Sequence, residues 1–598
     1  MKQSKYTVGL IQLLAVAVLA GLSVYTALNT GILSNLGQEE IYWERTRFLL
    51  GQGGASNYNG SALCSLGYSL VLVPICAILK SPYAAYKAAI LLNGGFLCLG
   101  YLLSVKTARK LFAEEKTVFL SAACFFASLC PALAASRSFT GPEMLLALLV
   151  WLSLYLLLSI KENCTRGKLA GLAACMILGG FLQIAFLGVI LAAVILLGIY
   201  VKKKRVAETS FLYFCLAVLL GLALGNIAER VFLYSFAKNM DITVTSSLEL
   251  FLDSLMNGWE NNYLLGVFRG LCGKLYALLA GSFLLLAPGL WHCIKGLFPG
   301  RSIKRDRKRQ IFCPEMFLFF ALELLVIVLY DNSRSTAVAL TSVNYVEVAL
   351  PPMLLLGAVQ IRRTACWVKE LTGYLLTLCV CALVTANLYQ TQGITSISST
   401  NNGILMLFQD WGMTPVAVIY GSACLVILAA ILVCFCVKSS LKRKWMNRAL
   451  RAVGFLGSAG CFLVFGLLVC RHTAVHANES NTRNIAPIAS VISETEIQGE
   501  YHYLRGTGSD QNLSILQSLA PEQSIQMEKN NGKERAEFYE EVRSGEKSAD
   551  VIITGTGESL IEETMPEELP DYRLIYMTTS YAIWARRGNN NVFDFLES

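Results

Sequence analysis

The sequence predicts a polytopic α-helical membrane protein with a small α/β domain at its C-terminal end. The 598 residues are 55% hydrophobic and only 15% charged, and a soluble protein of this length would need far more charge to cover its surface. Apolar runs close to the roughly 20 residues needed to cross a bilayer recur as far as residue 470 and then stop. We therefore divide the chain into a membrane part, residues 1–470, and a soluble part, residues 471–598.

Thirteen apolar runs are predicted to be transmembrane helices. Lys2 and Lys5 precede the first run, but it is longer than the core of a signal peptide and no cleavage pattern follows it, so we expect it to be retained. An odd number of spans places the two termini on opposite sides of the membrane. The predicted spans are 8–30, 83–105, 117–135, 143–160, 168–182, 184–201, 210–234, 275–294, 312–330, 347–361, 370–390, 414–437 and 450–470.

The charge distribution predicts which side each terminus occupies. Residues 471–598 hold 11 basic and 21 acidic side chains, whereas the membrane part holds 39 basic and 20 acidic ones. In the predicted topology 29 of the 39 basic residues lie on one side and 10 on the other. Because cytoplasmic loops carry the excess of Lys and Arg, we expect a cytoplasmic N-terminus and an extracytoplasmic tail in the plasma membrane. An acidic tail on a basic membrane part does not indicate a nucleic-acid partner.

Two of the predicted outer segments are long. The first, residues 31–82, contains an apolar stretch at 68–79 that is too short to cross the bilayer, so we expect an interfacial or re-entrant helix there. The second, roughly residues 235–274, contains Arg269 and Lys274.

Almost all of the 19 cysteines lie inside apolar runs, which is typical of small apolar residues and predicts neither a disulfide framework nor a metal site.

The tail has the pattern of a small α/β domain. Strand-like runs occur at 501–505, 550–554 and 574–584, with helical stretches such as 534–543 between them. This alternation predicts a mostly parallel sheet. The glycine-containing sequence at 555–559 lacks the pattern of a phosphate-binding loop, so we interpret it as an ordinary strand-to-helix turn.

The most informative stretch for chemistry is residues 38–47, directly after the first span. It holds three glutamates, two arginines, Tyr42 and Trp43 within ten residues at the membrane surface. A carboxylate there can act as a general base towards a hydroxyl group, and an arginine such as Arg47 can bind a phosphate through paired hydrogen bonds. The alternative is a solvated amphipathic helix in the interface.

Two further outer segments are weaker candidates. In residues 136–143, Pro142 suits the first turn of a helix, which places Glu143 near the positive end of that helix; the alternative is a helix-start carboxylate with no other role. Asn344 and Tyr345 precede two prolines where a span re-enters the membrane, and a tyrosine at that depth is often only an anchor. No sequence pattern of a serine hydrolase, a zinc protease or an ATP-binding loop occurs.

Taken in chain order, these segments resemble the GT-C glycosyltransferases, specifically the family 39-like membrane sugar transferases of bacteria, whose relatives include protein O-mannosyltransferases and the lipid A aminoarabinose transferase. The resemblance covers residues 8–360 most fully. Two positions depart from the family pattern: its usual first Asp is absent, so that a glutamate, or Gln38 in a shifted alignment, occupies the position, and Asn344 stands where the family has Arg. The matching residues are Glu39, Glu40, Tyr42, Arg47, the stretch 67–74, Ala85, Tyr86, Lys87, Asn93, Arg137, Glu143, Asn344, Tyr345, Pro351 and Pro352.

The resemblance implies an inverting transfer of a sugar from a polyprenyl-phosphate donor to a glycan, lipid or protein acceptor outside the plasma membrane. No cofactor and no metal are expected. By analogy with the family, Glu39 is the base and Glu40 its hydrogen-bonding partner, with the two roles exchangeable, and Glu143 supports them from across a cavity. The expected substrate-binding residues are Tyr42, Arg47 and Tyr345, together with Arg137, Arg269 and Lys274 as candidates for the donor phosphate.

Two other classes of function remain as alternatives. A polysaccharide or lipid transporter or polymerase is the first, and a transporter of that kind would show internal repeats or paired broken spans, of which the sequence gives no convincing case. The second is a non-catalytic membrane scaffold that presents the acidic tail, which the two departures from the family pattern permit.

Overall fold

A computed structural model gives the architecture of the chain. The residues that it describes are 5–30, 39–52, 64–130, 133, 136–137, 139–236, 245–257, 263–297, 313–332, 336–343, 345–363, 367–394, 413–440, 460, 463–468, 471, 485–494, 499–504, 516–517, 519–520, 523, 525–528, 532–555, 567–578 and 581–587. Gln38, Asn344, most of the predicted span 450–470 and most of the turn at 555–559 lie outside the described residues.

The membrane part is helical, as its apolar runs predict. Among the described residues, eight helices are long and apolar enough to cross a bilayer, so the chain is a multi-pass membrane protein. The predicted spans 117–135 and 168–182 are occupied by the shorter helices α5 and α7. In chain order the helices are α1 (Lys5–Asn29), α2 (Glu39–Leu49), α3 (Gly67–Ile78), α4 (Pro82–Leu111), α5 (Thr117–Ser128), α6 (Glu143–Glu162), α7 (Arg166–Leu182), α8 (Leu187–Lys202), α9 (Glu208–Phe236), α10 (Ser247–Asn257), α11 (Tyr263–Gly281), α12 (Leu286–Leu297), α13 (Pro314–Asn332), α14 (Ala337–Thr341), α15 (Leu350–Arg363), α16 (Trp367–Thr391) and α17 (Pro415–Ser440).

One predicted span is wrong in its boundaries. Instead of a single helix at 275–294, α11 begins at Tyr263 and ends at Gly281, and α12 follows after a break. Phe283 and Leu284 lie at the break with φ of 47° and 61°, a left-handed conformation that a continuous helix cannot contain. Hydropathy conceals the break because its residues are apolar. Arg269 and Lys274 consequently lie on a membrane-crossing helix and not in an outer segment.

The chain forms two compact units, and each contains segments that are distant in sequence. The large unit comprises Met1–Thr26, Ile90–Ala228 and Ser246–Thr473, and therefore most of the membrane helices. The small unit comprises Ala27–Ala89, Glu229–Thr245 and Ala474–Ser598. The small unit thus combines the residues that follow α1, with α2 and α3, and the C-terminal residues that contain the sheet.

Glycines allow two helices of the large unit to approach closely. Gly221 and Gly225 of α9 form a small-xxx-small pattern that faces α7. A Cβ atom at Gly221 would lie 2.5 Å from the side chain of Ile177, and one at Gly225 would lie 3.1 Å from Phe181. Helices inside a bilayer associate through close backbone packing of this kind, because the surrounding lipid is also apolar and the hydrophobic effect does not favour their association.

The tail contains the predicted α/β domain, but its sheet is mixed. The strands are β1 (Tyr501–Leu504), β2 (Ile525–Glu528), β3 (Val551–Gly555), β4 (Tyr572–Met577) and β5 (Tyr581–Arg586), and the helices are α18 (Ala486–Glu494) and α19 (Gly532–Ser544). The strand order is β2-β1-β3-β5-β4. β1 pairs in parallel with β2 and β3, whereas β5 pairs antiparallel with β3 and β4. The prediction of a mostly parallel sheet is wrong because the run at 574–584 folds into a hairpin.

Candidate functional site

The helix α2, directly after the first span, buries nearly all of its charged residues. It contains three glutamates and two arginines in eleven residues, and every residue from Glu39 to Arg47 is buried. A solvated amphipathic helix would expose its charged face. Buried charges are costly unless they are paired or meet a ligand, so this helix has a role that the simple interfacial alternative does not explain.

Aromatic and polar contacts hold α2 within the small unit. Tyr42 packs edge-on against Tyr68 of α3 with 5.3 Å between ring centroids, and the Thr46 hydroxyl donates a 3.1 Å hydrogen bond to the Ser69 carbonyl oxygen. Trp43 lies 5.8 Å from the ring of Tyr86 in the first turns of α4. These contacts fix both the rotation and the position of α2, and so they fix where its carboxylates lie.

The two adjacent glutamates have different environments. The Tyr86 hydroxyl donates to the carboxylate of Glu39, at 3.2 Å from Oε1 and 3.0 Å from Oε2. Oε2 of Glu40 is buried and has no hydrogen-bond partner among the described residues. Burial, together with repulsion from Glu39 and Glu44, raises the pKa of the Glu40 carboxyl to about 7. Glu39 is therefore held in place, whereas Glu40 presents an open acceptor whose basicity suits proton transfer near neutral pH.

The two arginines of α2 also differ. Arg45 is 3.8 Å from Glu229 at the end of α9 and donates to the Cys64 carbonyl oxygen. Nε of Arg47 is buried without a hydrogen-bond partner in the described part of the chain. Burial lowers the pKa of the Arg47 guanidinium to about 10, with Glu44 opposing the shift. Arg47 is thus a buried cation with an unused donor, as expected where an anion binds.

Glu40 and Arg47 lie on the same face of α2. They are seven residues apart, which is close to two full turns, and so their side chains leave the helix in nearly the same direction. At 1.5 Å per residue, their Cα atoms are separated by about 10 Å along the axis. One helix face therefore presents a basic carboxylate and a cation at separated positions.

In the large unit, the turn before α6 is attached to two other elements. The Asn93 side chain of α4 donates to the carbonyl oxygens of Phe139 and Gly141, both at 3.3 Å. From the other side, the Ser136 hydroxyl donates a 2.8 Å hydrogen bond to Oε1 of Glu347. Arg137 follows Ser136 and is only 1% exposed. These hydrogen bonds hold the turn in place and so fix the position of the buried Arg137 guanidinium.

Glu143 starts α6 at the end of this turn, as the sequence predicts. Its side chain is buried and folds over Gly141, where an added Cβ atom would lie 2.1 Å from Oε2 of Glu143. Any larger residue at position 141 would displace the Glu143 carboxylate from this position. The carboxylate also lies at the positive end of α6, which stabilises its charged form. Gly141 and the helix start together determine the position of the Glu143 carboxylate.

Lys274 and Tyr345 occupy a neighbouring region of the large unit. The Lys274 ammonium is fully buried and donates to Oδ2 of Asp331 at 2.6 Å and to the carbonyl oxygens of Ala339 and Ser342 at 3.2 and 2.6 Å. All three of its protons are thereby engaged, so Lys274 holds α11 against α13 and the segment after α14. Arg269, one turn earlier on α11, is partly exposed.

Tyr345 adopts a strained backbone conformation. It is buried with φ of 72°, a region in which a bulky residue is a true outlier and which costs about 1–3 kcal/mol. It precedes a 3-10 turn, Val346–Ala349, that leads into α15. Strain of this size persists only where the surroundings enforce it, and here the Lys274 contacts fix the preceding segment.

The sequence-predicted residues are divided between the two units. Glu39, Glu40, Tyr42 and Arg47 belong to the small unit, and Arg137, Glu143, Arg269, Lys274 and Tyr345 belong to the large unit. The approach of Glu143 to the glutamate pair stays a prediction. Sequence reasoning missed Tyr86 as a partner of Glu39, and it missed Asp331, Glu323 and Glu347 as buried acids. Single acidic residues inside apolar runs are a general signal of function and could have revealed the last three.

No protein-family model and no curated protein matches the chain by sequence. Solved structures do match it. ArnT from Cupriavidus metallidurans in the apo state is 14% identical, with a TM-score of 0.53, over 97% of this chain and 98% of that chain. The same protein bound to undecaprenyl phosphate is 14% identical, with a TM-score of 0.50, over 96% of this chain and 97% of that chain. The chain therefore has the fold of ArnT, and the predicted fold class, a polytopic helical membrane protein with a small C-terminal α/β region, is confirmed.

Proposed function

We propose that the chain is a membrane glycosyltransferase that moves a sugar from a polyprenyl-phosphate donor to a hydroxyl acceptor on the outer face of the plasma membrane. One observation carries the proposal. α2 presents on one face both a buried carboxylate oxygen of Glu40 and a buried guanidinium N–H of Arg47, and neither atom has a hydrogen-bond partner among the described residues. The fold supports the class of reaction, and a polyprenyl phosphate is the ligand named for ArnT.

In the proposed reaction, Glu40 is the general base and Glu39 its positioning neighbour, which is the exchanged form of the roles expected from the sequence. Glu40 removes the proton of the acceptor hydroxyl as that oxygen attacks the anomeric carbon. The bond from the anomeric carbon to the phosphate oxygen breaks, and its electron pair leaves with the lipid phosphate. A single displacement of this kind inverts the anomeric configuration.

Arg47 stabilises the charge that develops on the leaving phosphate. A guanidinium in a buried site stabilises such charge far more than it would in water, because the surroundings do not screen it. Arg137 and Arg269 of the large unit are further candidates for the phosphate, and Tyr42, Tyr345 and Glu143 for substrate binding and support. Lys274 is not a candidate for the phosphate, because its three hydrogen bonds hold α11 against α13 and the segment after α14.

The acceptor belongs to one of three classes: a cell-surface glycan, a lipid or a protein. The test incubates the purified full chain with undecaprenyl phosphate carrying a radiolabelled sugar and, separately, with a lipid extract, a protein fraction and a glycan fraction of the cell envelope. We expect label to move to a fraction and bare undecaprenyl phosphate to be released in equal amount. Donor binding without release of bare lipid phosphate would instead favour a transporter.

A further inference from the structure

Three polar side chains are buried in the large unit and have no part in the reaction described above. Gln183 lies between α7 and the 3-10 turn Ile184–Phe186, Glu323 lies in α13, and Glu347 lies in the turn that follows Tyr345. Their exposed fractions are 0%, 1% and 2%. Ionisable and amide groups at this depth of a membrane protein are costly and are retained where they bind or move something.

Two of the three have hydrogen-bonding atoms without partners. Oε1 of Glu347 accepts from Ser136, but Oε2 has no hydrogen-bond partner among the described residues. Within the same set of residues, both Oε1 and Nε2 of Gln183 are buried and unpartnered. Native structures rarely leave such atoms unsatisfied. Two acceptors and one donor group are therefore available to a bound molecule.

The three side chains converge on α13. Oε2 of Glu323 accepts a 3.2 Å hydrogen bond from the backbone N–H of Val189, and a Cβ atom at Gly188 would lie 2.5 Å from Cα of Glu323, so the start of α8 presses against this residue. The 3-10 turn after Gln183 packs on α13 as well. The second 3-10 turn, Val346–Ala349, which contains Glu347, also packs on α13.

The chemistry of this group determines what it can bind. Carboxyl groups in a low-dielectric interior need hydrogen-bond partners, and an amide needs an acceptor for its N–H groups and a donor for its oxygen. Lys274 supplies no donor to this group, because its three protons are engaged by Asp331, Ala339 and Ser342. Hydroxyl groups both donate and accept hydrogen bonds, so they pair with buried carboxyl and amide groups without adding charge. A polyhydroxyl ligand therefore satisfies all the open positions.

We infer that Glu347, Glu323 and Gln183 form a subsite that binds hydroxyl groups of the sugar being transferred. The inference rests on the proposed function, and it assigns sugar recognition to residues that are not part of the phosphate-binding or proton-transfer groups. The subsite predicts that the sugar adds affinity beyond that of the lipid phosphate, and that this added affinity depends on the three residues.

The test measures binding of bare undecaprenyl phosphate and of undecaprenyl phosphate carrying glucose or mannose to the purified full chain. We expect Glu347→Gln to weaken binding of the preferred sugar lipid about tenfold, because an acceptor oxygen is replaced by an amide donor and one hydrogen bond is lost. Binding of the bare lipid should be unchanged. Glu315→Gln, which removes a buried carboxylate from the first turn of α13, eight residues before Glu323, is the matched control and should leave both affinities unchanged.

A second variant separates ligand binding from folding. Gln183→Leu removes two unpartnered polar atoms from the interior, so we expect the ligand-free protein to become more thermostable while the sugar lipid binds less tightly. Lower thermostability with unchanged sugar-lipid binding would overturn the subsite. Equal binding of bare and sugar-carrying lipid by the wild type would also overturn it and leave the donor class intact. Failure of the wild type to bind bare lipid would instead remove the proposed donor, and the subsite with it.

Discussion

The hydroxyl of Tyr86 bridges both carboxylate oxygens of Glu39, at 3.2 Å from Oε1 and 3.0 Å from Oε2. Tyr86 belongs to the start of α4 and Glu39 to the start of α2, so this contact ties the two elements together beside Trp43. It also distinguishes two glutamates that are equivalent in the sequence. Glu39 is oriented by a donor, and the adjacent Glu40 keeps an open oxygen, which is why we assign the base to Glu40.

Replacing Tyr86 tests the positioning of Glu39. Tyr86→Phe removes the hydroxyl and leaves the ring against Trp43, so we expect the transfer rate to fall about tenfold from loss of one hydrogen bond to a charged group, with little change in the KM for the donor. The measurement is steady-state transfer kinetics. Tyr83→Phe, on the partly exposed first turn of the same helix, is the control and should behave as wild type. Normal kinetics for Tyr86→Phe would contradict the assignment.

The raised pKa of Glu40 predicts the pH dependence of transfer. A general base must be deprotonated, and its pKa of about 7 in the folded protein means that the protonated, inactive form predominates below that value. We expect the rate to rise about tenfold per pH unit below pH 7 and to level off above it.

The neighbouring charge gives the control for this profile. Repulsion from Glu39 contributes to the raised pKa of Glu40, so Glu39→Gln should move the midpoint of the remaining activity to lower pH. The measurement is the initial rate between about pH 5 and 9. A rate that does not change with pH over this range would exclude Glu40 as the base.

One carbon added at Gly141 should displace the Glu143 carboxylate. In Gly141→Ala the new Cβ atom would collide with Oε2 of Glu143, so the carboxylate must move away from its place at the start of α6. We expect transfer to fall about tenfold or more, since small displacements of supporting groups reach that size. Gly95→Ala is the matched control, because a Cβ atom there meets open space on α4. Equal activity of the two variants would show that the position of Glu143 does not matter.

The orientation of the tail is a prediction from the basic residues alone. A cysteine at Ser544, exposed at the end of α19, should react with a membrane-impermeant maleimide in intact cells. A cysteine at Lys203, exposed at the end of α8, should react only after lysis. The unmodified protein, whose cysteines lie mostly in apolar segments, gives the background. The reverse labelling pattern would place the tail in the cytoplasm.

The sequence predicts the membrane helices well because the length and apolarity of a span are local properties. It also identifies α2, where charges and aromatic residues concentrate after the first span. It fails at the break between α11 and α12, since Phe283 and Leu284 are apolar but left-handed. The hairpin of β4 and β5 was missed because only three residues, Thr578 to Ser580, separate two strand-like runs that we interpreted as one. Partnerships such as Tyr86 with Glu39 join residues 47 positions apart, and only the tertiary structure reveals them.

The central claim is that the glutamates of α2 carry the chemistry, and one experiment tests it most directly. Transfer and donor binding are measured for Glu40→Gln, Glu39→Gln and the double variant. We expect Glu40→Gln to lose about 10²–10⁴-fold in transfer, the usual contribution of a general base, while it binds undecaprenyl phosphate as the wild type does. Glu39→Gln should lose less, and the double variant should be no more active than Glu40→Gln. Near-normal transfer by the double variant would contradict the claim and would show that the glutamates of α2 have no part in the chemistry.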